Sequence, residues 1–175
     1  MGHREFPGAN RDEERQEQQQ KNEEQQCGGG WGTGQQETAV LRLAYTNAQS
    51  IFSKLDELAA YAAVNKPDII LLTETWCNAA TTDANLSIPN YQLETELRKD
   101  RSDTANGIGG GLLVYSKIGL KILPGDNLES KFHQYVTFKV LTKTEAVSIV
   151  LAYRPPNSGK ENVETLSKLL KTAKE

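Results

Sequence analysis

Leu41-Arg-Leu-Ala-Tyr-Thr-Asn47 and Asp68-Ile-Ile-Leu-Leu-Thr-Glu74-Thr-Trp76 read as two apolar strands joined by one helix, each strand ending on a polar side chain. In the first, Leu41, Leu43 and Tyr45 alternate with Arg42, Ala44 and Thr46, the period of a half-buried strand. In the second, Ile69 to Leu72 is a continuous apolar run, which predicts burial on both faces. Between them, Ser53 and Asp56 form an S-x-x-D helix-start signal. Leu55, Leu58, Ala59 and Ala62 make one apolar stripe at helical spacing, Pro67 is a stop, and Asp68 shapes the start of the second strand. A strand–helix–strand crossover makes its two strands parallel, so both end on the same edge of the sheet. If they are also neighbours, Asn47 and Glu74 meet at one rim, a common place for a ligand site in a sheet covered by helices.

Outward from this unit, residues 77–90 read as a loop and Tyr91-Gln-Leu93 as a short strand. Arg98 to Gly111 is a polar, Gly-rich turn, in which Gly109-Gly-Gly111 lets the chain enter a crowded strand. It is not a phosphate loop, since no helix start or Lys-Ser/Thr follows. Strands are predicted at 112–116, 120–123, 135–141 and 147–153, the last two joined by a hairpin at Thr142-Lys-Thr-Glu145. Arg154-Pro-Pro-Asn-Ser-Gly159 breaks the strand, and Val163, Leu166, Leu169, Leu170 and Ala173 mark a final amphipathic helix. The order predicts a layered α/β or α+β domain. The apolar face of the last helix and the sheet edges call for partners, and on that ground the fold is expected to continue past Glu175.

The chain has 175 residues, enough for one domain with a real core. Residues 1–38 stand apart: they contain eight Gln, four basic and eight acidic side chains, and no Leu, Ile or Val. The run from Glu13 to Gln26 cannot bury enough apolar surface to offset chain entropy, and Cys27 to Gln36 reads as a flexible linker. A Gln/Glu helical arm is the alternative, without an apolar seam to pair through. The domain is therefore expected over residues 39–175. These 137 residues carry 16 basic and 15 acidic side chains, unlike the basic footprint of a protein that binds nucleic acid by charge alone. Two cysteines, Cys27 and Cys77, form no disulfide framework. No apolar run approaches membrane-spanning length and the first residues do not read as a signal peptide. A nuclear or cytoplasmic, non-secreted protein without membrane contact is expected.

Five segments in order, namely Asn47, Pro67-Asp-Ile-Ile-Leu-Leu-Thr-Glu-Thr-Trp76, Arg98-Lys-Asp-Arg101, Gly109-Gly-Gly-Leu-Leu-Val-Tyr115 and Ala152-Tyr-Arg-Pro-Pro-Asn157, resemble the endonuclease/exonuclease/phosphatase superfamily. Within it they are similar to the apurinic-like endonuclease domain of non-LTR retrotransposons, which precedes a reverse transcriptase. The resemblance spans about residues 40–173. It implies a four-layer sandwich of two mixed β-sheets flanked by helices, and Mg²⁺- or Mn²⁺-dependent hydrolysis of phosphodiesters or phosphomonoesters. Glu74 is then the metal-ligand carboxylate, with Asn47 beside the metal orienting a carboxylate or water. Tyr153 donates to a phosphate oxygen, and Arg154 is adjacent. Arg98, Lys99 and Arg101 position DNA phosphates without reading bases.

The same resemblance implies downstream G-D-x-N and S-D-H motifs, which this sequence does not contain. His3 and His133 do not match the catalytic histidine, and Gln49 stands where some relatives have an acidic residue. The chain is thus expected to be the first part of a DNA endonuclease domain with little or no activity alone. Two alternatives stay open: a truncated or domesticated interaction protein, and a phosphatase of the same superfamily. Each site residue also has an ordinary reading. Asn47 is a turn residue, Glu74 the first solvated position after a buried strand, Tyr153 a core-edge tyrosine, Trp76 a packed aromatic or a nucleic-acid contact, and the basic loop a solvated face.

Overall fold

The computed structural model describes residues 40–100, 109–125, 134–155 and 159–172. Residues 1–39, with the Gln/Glu-rich segment and the linker expected there, lie outside the described residues, as do Arg101, His133 and Asn157.

β1 (Leu43–Asn47) and β2 (Ile69–Thr73) are parallel neighbours joined by α1 (Leu55–Asn65), as the crossover predicts. Their register sets Asn47 opposite Thr73, so both strands finish at one rim. β3 (Tyr91–Leu93) and β4 (Leu112–Lys117) complete a first sheet in the order β1-β2-β4-β3, with β4 antiparallel to both of its neighbours. β5 (Lys121–Pro124), β6 (Tyr135–Leu141) and β7 (Ala146–Ala152) form a second, antiparallel sheet in sequence order. The β6–β7 hairpin closes through Thr142, whose N–H donates to the Glu145 carbonyl at 2.9 Å and whose hydroxyl accepts the Glu145 N–H at 3.0 Å. α2 (Lys160–Thr172) is the last element.

The alternation of side chains along each strand sorts the core into layers. Ile69, Leu71, Leu112 and Val114 face the second sheet and pack with Val136, Phe138, Val140, Ile149 and Leu151. Ile70, Leu72, Leu113 and Tyr115 face the other way, onto Ala62 and the stripe of Leu55, Leu58 and Ala59 on α1. All five residues of β2 are buried, in keeping with the continuous apolar run from Ile69 to Leu72. Each such Ile or Leu contributes roughly 1.5–3 kcal/mol of burial. On the outer side of the second sheet, Leu166 and Leu169 of α2 pack with Tyr135, Val150 and Ala152. The layers therefore run helix, sheet, sheet, helix, an α/β sandwich of four layers. The apolar face of α2 finds its partner inside this layering, on the second sheet. Among the described residues β1 is an edge strand, with Leu43 and Tyr45 exposed.

The S-x-x-D signal does not cap α1. A turn closed by Lys54 N–H on the Ile51 carbonyl precedes the helix, so Lys54 takes the N-cap position, and it makes no side-chain cap. Asp56 and Glu57 in the first turn still complement the helix dipole. The stop before Pro67 occurs as expected, through Lys66 in the left-handed conformation (φ 48°) with its N–H on the Ala62 carbonyl. Asp68 ties the start of β2 to β1: its N–H donates to the Arg42 carbonyl at 2.8 Å, and its carboxylate accepts the Arg42 N–H at 2.9 Å.

Candidate active site

Past Thr73 the chain leaves the sheet in a tight path that brackets Glu74. On one side the segment after β1 runs alongside. Ala48, Ser50 and Ile51 donate to the carbonyls of Thr73, Glu74 and Thr75 at 2.8, 2.9 and 3.0 Å. On the other side the start of β4 takes the remaining bonds, Trp76 N–H to the Gly110 carbonyl at 3.0 Å and Thr75 N–H to Gly111 at 3.4 Å. Held between them, Glu74 and Trp76 both adopt positive φ, 55° and 60°, with Gln49 (45°) and Ser50 (85°) beside them. Backbone strain of this kind persists only where the surroundings over-determine it, and it concentrates at functional sites. Glu74 is 9 % exposed, and its Oε2 accepts a 2.8 Å hydrogen bond from the indole Nε1–H of Trp76. Burial of a carboxylate is tolerated here because a fixed donor meets it.

Gly111 shows why three glycines lead into β4. Its φ is +92°, and a Cβ there would collide with the Thr75 hydroxyl. That hydroxyl is fully buried, with the Cys77 thiol as its polar neighbour and no oxygen or nitrogen partner among the described residues. Burial pushes the Cys77 thiol above its ordinary value, opposed in part by its bond with the Thr75 side chain.

Asn47 stands at the same rim and is exposed. Its side-chain carbonyl accepts the Gln49 N–H at 3.3 Å, an Asx turn of the ordinary kind. Tyr153 follows the end of β7, where its N–H donates to the Gln134 carbonyl at 2.8 Å and its ring packs at the border of the inter-sheet core. The Gln134 side chain crosses to the first sheet, its Oε1 accepting the buried Gly111 N–H at 2.9 Å. The rim thus gathers Asn47, Glu74 and, through Gln134, the strand end that carries Tyr153. Arg154 is exposed next to it.

The basic segment is arranged differently from a solvated phosphate-binding face. Arg98 makes a bidentate pair with Asp100 (Nε 2.9 Å, Nη2 2.8 Å), reaches Asp83 through Nη1 at 2.7 Å and donates to the Asn78 carbonyl at 3.1 Å. These carboxylates hold the guanidinium even more firmly protonated than usual, Asp100 first. Lys99 exchanges backbone bonds with Leu112 at the mouth of β4. The Arg98 fork fastens the 77–90 loop to the strand entering the rim. Arg101 lies outside the described residues.

The endonuclease/exonuclease/phosphatase family profile matches residues 44–169. The chain belongs to this family. Among solved structures, this family member resembles the endonuclease domain of TRAS1, a telomere-specific non-LTR retrotransposon, at 16 % identity and a TM-score of 0.51, over 75 % of the present chain and 52 % of that one. An AP endonuclease from Archaeoglobus fulgidus is similar at 18 % identity and a TM-score of 0.53, over 76 % and 49 % of the two chains. The human Nocturnin catalytic domain follows at 12 % identity and 0.54, over 77 % and 59 %. At such identities these likenesses establish the fold. The present family member spans about half the length of the two endonuclease structures. No curated protein matches it by sequence.

Two residues of the rim were not legible as site residues. Trp76 read as packing or as a nucleic-acid contact, whereas its indole N–H faces Glu74. Only the i, i+2 spacing hinted at that. Gln134 carried no signal, because its partner is 23 residues away.

Proposed function

We propose that this rim is the metal- and phosphate-binding part of a DNA phosphodiesterase site, of the type found in retroelement endonucleases. The observation that carries the reading is Glu74: a near-buried carboxylate at the end of a central strand, on strained backbone, aimed by a dedicated indole donor. Among the described residues, no three His, Cys, Asp or Glu side chains gather into a metal cage. One carboxylate with nearby oxygen donors suits Mg²⁺ or Mn²⁺, which take one or two protein carboxylates and complete their shell with substrate phosphate and water. Glu74 would hold the ion, with the Asn47 amide beside it. Such an ion supplies Lewis-acid stabilisation of the phosphoryl oxygens.

Within that reading Tyr153 donates to a non-bridging phosphate oxygen as charge develops on it, and Lys99 and Arg154 steer the backbone of the nucleic acid. Arg98 serves by fixing the loop rather than by touching phosphate. The family match and the DNA-acting proteins among the structural neighbours support a DNA substrate; a nuclear or cytoplasmic setting is proposed from the sequence alone. The sole histidine within the matched span is His133, which does not correspond to a water-activating Asp–His pair. Nicking by residues 1–175 alone is therefore expected to be weak or absent, while divalent-ion binding persists.

The test is a Mn²⁺ titration by calorimetry alongside a supercoiled-plasmid assay. Binding that disappears in Glu74→Ala supports the reading. Equal Mn²⁺ binding by wild type and Glu74→Ala would sink it. Robust Mg²⁺-dependent nicking that is lost in Glu74→Ala would keep the site and overturn the expected inactivity.

A further inference from the structure

Gln134 is 8 % exposed and immediately precedes β6. It makes two bonds in opposite directions. Its main-chain carbonyl accepts the Tyr153 N–H at 2.8 Å, within the second sheet. Its side-chain oxygen accepts the Gly111 N–H at 2.9 Å, within the first. The carbonyls of Gly111 and Gly110 in turn accept the N–H groups of Thr75 and Trp76, the two residues after Glu74, and the Trp76 indole orients the Glu74 carboxylate. The core described between the two sheets is apolar, built of Ile69, Leu71, Phe138, Ile149 and their neighbours. Apolar packing is non-directional and does not by itself dictate how one strand end is offset from another. A buried amide oxygen with a single well-placed donor does, because that donor loses its partner if the sheets shift.

We infer that Gln134 is a positioning residue that locks the strand end bearing Tyr153 to the turn bearing Glu74, so that a phosphate-contacting hydroxyl and a metal-ligand carboxylate keep one fixed relation across the two sheets. The functional half of this statement rests on the proposed reading of the rim. The mechanical half does not.

Amide hydrogen exchange on the full chain tests the lock, using Gln134→Met, which keeps the volume without the acceptor, and Gln134→Glu, which keeps an acceptor oxygen. In Gln134→Met the Gly111 amide should exchange at least about tenfold faster, the loss expected for one buried hydrogen bond. Thr75 and Trp76 should follow, while Leu71 and Phe138 stay within about twofold. Gln134→Glu should restore much of the protection. Unchanged exchange at Gly111, or acceleration shared equally by Leu71 and Phe138, would overturn the inference, since the first denies the bond and the second reduces it to general stability.

Mg²⁺-induced amide shifts then separate the two readings. In wild type Glu74 and Tyr153 should respond together, and in Gln134→Met Glu74 should respond without Tyr153. Joint responses preserved in Gln134→Met would overturn the coupling. Absence of any Mg²⁺ response in wild type would instead remove the metal reading and the functional half with it, leaving the exchange result to judge the lock.

Discussion

The indole Nε1–H of Trp76 donates a 2.8 Å hydrogen bond to Oε2 of Glu74, two residues earlier in the chain, and both residues hold left-handed backbone. In an extended strand, residues i and i+2 project on the same face but stand well apart. The bends at Glu74 and Trp76 bring indole and carboxylate together, so the strain serves the orientation of the acid.

Trp76→Phe keeps an aromatic ring and deletes that donor. Mn²⁺ affinity is expected to fall about tenfold, the usual cost of losing a partner that orients a metal ligand, with about 1 kcal/mol of stability lost. Calorimetric titration against wild type checks it, and indistinguishable affinities would show that the indole does not aim the ligand.

Gly111→Ala places a Cβ against the Thr75 hydroxyl at φ +92°. Strain and collision together should cost about 2–4 kcal/mol. A denaturant midpoint within error of wild type would contradict the close approach of β4 to the Glu74 turn.

Thr75→Val tests the buried Thr75 hydroxyl beside the Cys77 thiol. Replacing it by a nearly isosteric methyl gives up at most a weak bond to the Cys77 thiol, so stability should change by no more than about 1 kcal/mol. A loss above about 1 kcal/mol would reveal a stronger bond to that oxygen than the thiol can supply.

Arg98→Lys retains the charge and removes the fork that joins Asp100, Asp83 and the Asn78 carbonyl. The side chain is only 13 % exposed, so a loss of about 1.5–3 kcal/mol is expected in urea unfolding. A solvated phosphate-contacting arginine would leave stability within about 0.5 kcal/mol.

Burial raises the Cys77 thiol above its ordinary 9.0 and the Tyr115 phenol well above its ordinary 10.0. Each group therefore keeps its proton longer in the folded chain than in the unfolded one. The linked stability is complete below the unfolded values, and it declines as the pH rises past about 9, where the unfolded chain begins to release protons first. Alkaline melts should show this decline, reduced in Cys77→Ala. In a Cys27→Ser background, Cys77 should react slowly with a thiol reagent at neutral pH until the chain is unfolded.

Much of the fold was legible in the sequence because it is written in local periods. The alternation at Leu41–Thr46 located β1, although Leu43 and Tyr45 are exposed and Ala44 packs on the core instead; the helical stripe on α1 and the unbroken apolar run of β2 likewise depend on neighbours a few residues apart. The parallel crossover that brings the ends of β1 and β2 to one rim follows from chain geometry. The S-x-x-D signal failed at α1 because a turn from Ile51 to Lys54 displaced the cap, a local competitor that the motif does not report.

Sequence alone thus determined the strands, the helices, the rim at Asn47 and Glu74 and the resemblance that names the family. Only the tertiary structure decided that β4 lies between β2 and β3, that Arg98 is held by Asp83 and Asp100, and that Gln134 bridges Tyr153's strand to Gly111. The physical reason is range. Hydrophobic period and turn chemistry act over a few residues, whereas a hydrogen bond between residues 23 apart exists only after two sheets have packed and excluded the water that would otherwise satisfy both groups.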